Sequence, residues 1–285
     1  MVRFLGGLVG LFFAGMLLLS FIWGAVSVVP VLSEHGKLVA PTAESEFHEH
    51  PRQVAWSFNG PFGKYDEAQL QRGFQVYSEV CAACHSLHQV AFRSLADLGY
   101  NEAEIKAIAK AHQVPAIDPN TGEATTHEGT PADKFPLVYP NDVAARAANN
   151  NAIPPDLSLM AKARHDGANY IHSLLTGFRE QPAELLRKFP DAKTGEGLHY
   201  NPYFANLNIA MAPPLTAEGQ VTYGEGQPKP TVDQMAQDVS AFLMWAAEPK
   251  LEARKSTGVG VLIFLIFGTV LAYMAYQNIW AGKEH

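Results

Sequence analysis

Cys81-Ala82-Ala83-Cys84-His85 is the stretch on which the reading of this chain turns. Two cysteines two residues apart, with a histidine directly after them, form the attachment pattern for a c-type haem. The chemistry needs that spacing, because each thiol adds across one porphyrin vinyl group and the short helical turn then sets the next imidazole beneath the iron. The chain has 285 residues and no other cysteine, so both thiols are used here. A zinc site would need a second ligand pair of the CxxC or HxxxH kind, and none is present. A thioredoxin-like CxxC sits between a strand and a helix, whereas a helix-like stretch leads into this one.

That stretch is Tyr65 to Val80. Leu70, Gly73, Phe74 and Tyr77 recur at i, i+3, i+4, i+7 and form an amphipathic face. Gly73 on that face costs about 1 kcal/mol of helix stability, which is explained if another helix crosses closely there. Thr231 to Pro249 is the matching partner: Thr231 and Gln234 make a capping box, Met235, Val239, Phe242 and Leu243 supply an apolar stripe, and Pro249 marks the stop.

Between these helices the chain is more varied. Asn101 followed by Glu104 reads as a helix start. Pro115 to Pro140 is rich in Pro, Gly, Asp and Thr, too long for a simple connection, and reads as an irregular insertion. In Ala144 to Gly167 the Pro154-Pro155 pair is expected to stop one helix and Asp156 to cap the next. Arg164 is the arginine assigned to a haem propionate, which it would bind by charge-assisted hydrogen bonds. Tyr170 to Phe178 reads as helical, and Gln181 to Phe204 as loop with aromatic anchors at Tyr200, Tyr203 and Phe204.

Both ends are apolar. Phe4 to Val31 is long enough to span a bilayer, which needs about 20 such residues, and exceeds the 7–15 residues or so of a signal-peptide core. A retained anchor is therefore expected over a cleaved signal. Val259 to Ile279 is a second transmembrane candidate. Lys250, Arg254 and Lys255 precede it, and the positive-inside rule would put that flank in the cytoplasm. Covalent haem attachment belongs to the outer face of an energy-transducing membrane, so the two signals conflict and the haem takes precedence. The histidine-rich run Ala43 to His50 reads as a solvated linker, with a metal site on His48, His50, Glu46 and Glu49 as the weaker alternative.

A second axial ligand is sought among eleven histidines and seven methionines. Met211, in the proline-stiffened Ile209-Ala-Met-Ala-Pro-Pro-Leu215, occupies the position where a small cytochrome c supplies its distal thioether. Met160, Met235 and Met244 read as helix-face packing. His/Met ligation raises the iron's potential and leaves no open site, which points to an electron carrier over an oxygen activator. The net charge of −7 argues against a nucleic-acid partner and suits a basic protein.

Six segments together resemble the cytochrome c1 family: Arg72-Gly-Phe-Gln-Val-Tyr77, Ala144-Ala-Arg-Ala-Ala-Asn149, Ile153-Pro-Pro-Asp-Leu-Ser158, Tyr200-Asn-Pro-Tyr-Phe204, Ala210-Met-Ala-Pro-Pro214 and Trp245-Ala-Ala-Glu-Pro249. The resemblance runs from about Phe58 to Trp280. It implies one haem c attached through Cys81 and Cys84, with His85 and Met211 as axial metal ligands. It also implies Arg164 near a propionate and Asn149, Pro155 and Tyr170 lining the pocket.

The function implied is that of the electron-transfer subunit of ubiquinol–cytochrome c oxidoreductase, the bc1 complex. Such a subunit takes one electron from the Rieske [2Fe–2S] protein and passes it to cytochrome c, and makes no bond itself. Cytochrome b, the Rieske protein and cytochrome c are then partners in a dimeric complex of the bacterial inner membrane, with the haem domain on the periplasmic side. A free-standing membrane-anchored cytochrome feeding a terminal oxidase is the alternative.

Some bacterial relatives carry an extra cysteine pair before the distal methionine. This chain has none, so its methionine loop must be held by packing. Glu44-Ser-Glu46 is an acidic segment that would steer a basic cytochrome.

The expected fold is a mainly α, cytochrome c-like haem domain with insertions, plus a C-terminal transmembrane helix and a second at the N-terminus. The expected divisions are 1–31 anchor, 32–60 linker, 61–250 haem domain and 251–285 anchor and tail.

Overall fold

A computed structural model of the chain describes residues 2–35 and 41–282. In chain order the first elements are α1 (Val2–His35), α2 (Ala43–Phe47), α3 (Glu67–Glu79) and α4 (Glu102–Lys110), followed by strands β1 (Gln113–Ile117) and β2 (Ala124–Glu128). Next come α5 (Asp142–Ala148), α6 (Met160–Ala163), α7 (Gly167–Thr176) and α8 (Ala183–Lys188). Strands β3 (His199–Tyr200) and β4 (Asn208–Ile209) precede α9 (Val232–Ala247) and α10 (Leu251–Trp280). The chain divides into two compact units.

The first unit comprises Met1–His48, Gln181–Lys193 and Ala205–Leu207. Within α1, Val9–Val26 is long and apolar enough to cross a membrane, and none of that window is buried. Helix α2 begins on a reciprocal cap in which the Ser45 amide donates to Thr42 Oγ1 and the Thr42 amide to Ser45 Oγ. Lys188 of α8 reaches Glu46 of α2 at 3.0 Å, and Phe189 meets Phe47 edge to face at 6.3 Å.

The second unit, Glu49–Glu180 with Thr194–Phe204 and Asn208–His285, holds the main core. Its centre is the crossing of α3 on α9. A Cβ added at Gly73 would lie 2.1 Å from the Asp238 carbonyl oxygen and 2.6 Å from Phe242 Cβ, so only glycine allows this approach. Around it Phe242 packs against Phe74, Tyr77 and Trp245 with ring centroids 5.6, 5.7 and 5.6 Å apart. Asp238 is fully buried and receives Arg72 Nε at 2.9 Å and Nη2 at 3.2 Å. The amides of Gln69 and Gln234 complete its hydrogen bonds. Helix α7 also packs on α9.

Helix α10 follows α9 after only Glu248–Lys250 and could span a bilayer over its 30 residues. Its basic start is engaged with the haem-motif unit: Arg254 pairs with Glu248, and Lys255 donates to the Phe58 carbonyl. Glu252 accepts the Tyr65 amide at 2.9 Å. These charges serve as attachments between helix and domain, which is a physical reason for a basic flank that is independent of the positive-inside rule.

Several sequence expectations are corrected. The helix before the haem motif starts at Glu67, capped by the Asp66 carboxylate, and not at Tyr65. Within the supposed irregular insertion, β1 and β2 form an antiparallel hairpin with Gln113 opposite Glu128 and Ile117 opposite Ala124. Helix α5 ends at Ala148, before the proline pair: Asn150 and Asn151 take left-handed backbone (φ 50° and 64°) and turn the chain first. The segment from Gln181 to Phe204 includes a short helix, α8. At the start of α9, Thr231 accepts the Gln234 amide, but the Gln234 side chain turns to Asp238, so half of the expected capping box forms.

Replacing Gly73 by Ala should destabilise the protein by about 1–3 kcal/mol, the cost of overpacking. This opposes the roughly 1 kcal/mol that Ala gains over Gly in an unconstrained helix. Denaturant unfolding checks the sign, and a raised midpoint would refute the close crossing.

Glu248 gives a pH prediction. Its hydrogen bond from Arg254, aided by nearby Lys162, holds its carboxyl below the ordinary carboxylate range against the opposing effect of burial. The folded state therefore gives up stability only as pH falls below the unfolded value and through the lowered folded one. Glu248→Gln should flatten the acid limb of stability between neutral pH and about pH 3, measured as urea midpoints.

Candidate haem-binding site

Helix α3 delivers the chain directly into the CxxCH turn. Its last turn passes into a single 3-10 turn over Cys81–Ala83, in which the amides of Cys84 and His85 both donate to the Cys81 carbonyl (3.1 and 2.9 Å). This tight turn places Cys81, Cys84 and His85 on one local surface. Cys84 is exposed and Cys81 partly so, and the two are not joined as a disulfide. Burial, and then the neighbouring Cys84, push the Cys81 thiol up to about 12. A redox CxxC depends on a lowered thiol pKa, so this environment opposes that reading.

His85 is oriented from behind. Its Nδ1 lies 2.8 Å from the Pro155 carbonyl oxygen. A carbonyl only accepts, so Nδ1 carries the proton and Nε2 presents its lone pair, the tautomer a metal-bound imidazole needs. Desolvation outweighs the Pro155 bond and the Asp156 charge and lowers the imidazole's pKa, which favours the neutral ligand form. The Tyr77 hydroxyl donates to the His85 carbonyl at 3.0 Å and ties the same residue to α3.

The segment carrying Pro155 is stitched to the residues that follow His85. Leu157 donates its amide to the Ser86 carbonyl (2.9 Å), His88 its amide to Asp156 (2.8 Å), and Gln89 its amide to the Ser158 hydroxyl (2.9 Å). Asp156 also accepts the Ser158 amide at 2.8 Å. This corrects the helix-cap expectation for Asp156: α6 begins at Met160 after Leu159, and Asp156 instead joins two loops. Ser86, Asp156 and Ser158 have positioning roles that the sequence does not reveal, because their bonds link segments about 70 residues apart; Tyr77, eight residues from His85, reads in the sequence only as part of an apolar helix face.

Met211 lies two residues beyond β4, half-buried, against the same core cluster that Cys81, Met160 and Tyr170 touch. Without a disulfide its loop is held by the β3–β4 pairing (His199 opposite Ile209), by buried Leu215, and by Gln220, whose amide donates to the Pro214 carbonyl at 2.8 Å. Met235 is fully buried, and Met160 and Met244 pack on the core, as their helix-face spacing predicts.

Arg164 is exposed, at the end of α6, and its guanidinium donates to the adjacent Ala163 carbonyl and interacts with the Tyr170 hydroxyl. Burial raises the pKa of Tyr170, while Arg164 beside it works the other way. The pair offers two donors from α6 and α7 on one surface, suited to a carboxylate. Asn149 caps α5, its side-chain amide donating to the Ala145 carbonyl at 2.7 Å. Pro155 is exposed, with Ile153 and Leu159 nearby in sequence 38% and 54% exposed. Apolar side chains left in water on the segment that orients the imidazole fit an apolar macrocycle. A separate cavity of about 610 Å³ opens beside Tyr77 and Ala82, and its lining does not include His85, Met211 or Tyr170. The metal alternative on the linker fares differently: Glu46 is paired with Lys188 and Glu49 with Arg179, and no metal-holding cluster occurs among the described residues.

A CxxCH turn on a helix, with its histidine fixed from behind by a backbone carbonyl, is the arrangement of the c-type cytochrome class. The chain belongs to the cytochrome c1 family. Residues 56–283 match the Cytochrome C1 family. The chain is 47% identical over 239 residues to "Cytochrome c1" of Rhodospirillum rubrum, covering 81% of this chain and 87% of that one. It is 43% identical over 233 residues to "Cytochrome c1, heme protein, mitochondrial" of Saccharomyces cerevisiae, covering 82% of this chain and 73% of that one. A third relative, "Cytochrome b/c1" of Bradyrhizobium diazoefficiens, is 43% identical over 255 residues, which are 84% of this chain and 37% of that longer one.

Asp156→Ala strips the acceptor from two amides and should cost about 1–3 kcal/mol, read from chemical unfolding. Asp156→Asn keeps one acceptor oxygen and should recover part of the loss; equal stability of all three proteins would refute the bridging role.

Proposed function

We propose that this chain is the haem-bearing subunit of a ubiquinol–cytochrome c oxidoreductase, the bc1 complex, and that it passes one electron at a time from the Rieske [2Fe–2S] protein to cytochrome c. The observation that carries the reading is the His85 Nδ1 contact with the Pro155 carbonyl, which presets one metal-ligand nitrogen on the CxxCH turn. Cys81 and Cys84 would hold one haem c by thioethers, and His85 and Met211 would be its axial ligands. Bound there, the haem supplies a one-electron couple whose potential a thioether ligand raises.

The chain's own residues bind and orient. Pro155, Asp156 and Tyr77 keep the imidazole and its turn from reorganising, which suits outer-sphere electron transfer. Arg164 and Tyr170 would take a propionate, Asn149 and Pro155 would line the pocket, and the half-buried Met211 loop would exclude water and exogenous ligands. The subunit makes no bond. Cytochrome b is the expected neighbour in the membrane, a reading supported by the relative whose name joins b and c1 in one chain. Helices α1 and α10 would anchor the chain in the bacterial inner membrane, with the haem domain in the periplasm. In the acidic segment proposed to steer cytochrome c, Glu46 is already paired with Lys188, so Glu44 is the carboxylate left for that role.

Met211→Leu tests the ligand assignment. The reduced holoprotein should gain carbon monoxide binding and its midpoint potential should fall; an unchanged potential and no binding would mean another residue is the ligand. Gentle detergent purification of the tagged chain tests the assembly. Co-purifying b-type haem bands and an iron–sulfur protein are expected, whereas a lone c-type band would favour a free-standing carrier.

A further inference from the structure

The loop Asn59–Lys64 carries a large apolar side chain that the redox site does not use. Phe62 is 79% exposed, the most exposed large hydrophobic among the described residues outside α1 and α10. The loop is rigidly built. Gly60 has a left-handed backbone (φ 74°), and a Cβ at Gly63 would lie 2.0 Å from the Asn59 carbonyl oxygen. The Lys64 amide closes the loop on the Ser57 carbonyl at 3.1 Å. Below it, Trp56 stacks on Phe58 at 5.4 Å and Phe58 meets Tyr65 at 5.2 Å.

The loop is also fixed in height along α10. Lys255 donates to the Phe58 carbonyl and Glu252 accepts the Tyr65 amide, so both stems of the loop are bound to the first turns of that helix. Lys255 is the last charge before an uncharged run that continues to Gly282. That boundary is where a spanning helix passes from water into the lipid interface. Such helices carry aromatic residues at both interfaces. Helix α10 has Tyr273, Tyr276 and Trp280 at its far end, yet no aromatic residue from Leu251 to Ile263. The stems of the loop that carries Phe62 are bound at the level of the missing belt, and Lys64 and Lys250, on the loop and just before α10, are exposed.

We infer that the Asn59–Lys64 loop is a second membrane contact of the haem domain, with Phe62 inserted into the interfacial layer of the leaflet that α10 enters. It rests on the reading that α10 crosses the bilayer. Two attachments at separate points prevent the domain from tilting about the helix axis.

The test uses the haem-loaded full chain in phospholipid nanodiscs, where the native cysteines are held as thioethers and one introduced thiol can be spin-labelled. Labels replace Phe62, Leu265 in the middle of α10, and Val143, which is 78% exposed but preceded by Asn141 and Asp142. The ratio of collision rates with oxygen and with a water-soluble nickel chelate is measured at each. A ratio at position 62 severalfold above that at 143, and below that at 265, is the expected result. A ratio at 62 equal to that at 143, with 265 still oxygen-rich, overturns the insertion and leaves the spanning reading intact. A water-like ratio at 265 overturns both.

Discussion

The absence of a side chain at Gly73 is the constraint from which the rest of the haem-motif unit follows. It lets α3 and α9 approach to backbone contact, and that approach brings Arg72 onto a fully buried Asp238. An unpaired carboxylate there would cost several kcal/mol, on the order of the 3–5 kcal/mol seen when buried pairs are broken. Three side chains from two helices meet it instead with four hydrogen bonds, and the geometry of the crossing is thereby specified as well as stabilised. Because α3 runs into the CxxCH turn and α9 into α10, one contact sets both the CxxCH turn and the start of the long apolar helix.

The second level of organisation is the pairing of two irregular segments, 85–89 and 155–158. Neither has regular secondary structure, so their backbone groups need partners from elsewhere. They find them in each other, with Asp156 and Ser158 supplying side-chain acceptors where a strand ladder would supply carbonyls. The product is a histidine held in one tautomer, with its proton on Nδ1 and its Nε2 lone pair free, the arrangement a metal-bound imidazole needs.

Much of this was legible in the sequence wherever the signal is local. The CxxCH motif, the glycine on an apolar helix face, the Asn101–Glu104 cap and the two apolar spans each announce themselves within a few residues, and each appears in the structure. The failures have physical causes. Proline restricts the residue before it, so the Pro154-Pro155 pair was expected to end α5; two asparagines able to adopt left-handed backbone had already ended it. The β1–β2 hairpin has no signature in the sequence because β2 is exposed along its whole length, which leaves no alternation of apolar and polar residues. Asp156 looked like a cap because Asp beside a helix start usually is one; its partner His88 lies too far away in sequence for any spacing rule. The ligand role of Met211 drew on family resemblance, since a methionine in a proline-rich loop has no local signature of its own.

The join between α9 and α10 has a further meaning. Only three residues separate the helices, and Arg254, Lys255 and Glu252 bind the start of α10 to the same unit that holds His85. There is no tether here of the kind that lets a head group swing. A CxxCH turn mounted this way is a stator: its place relative to the apolar helix is set when the chain folds. Any movement of the CxxCH turn would have to carry the start of α10 with it, because both are bound into one compact unit.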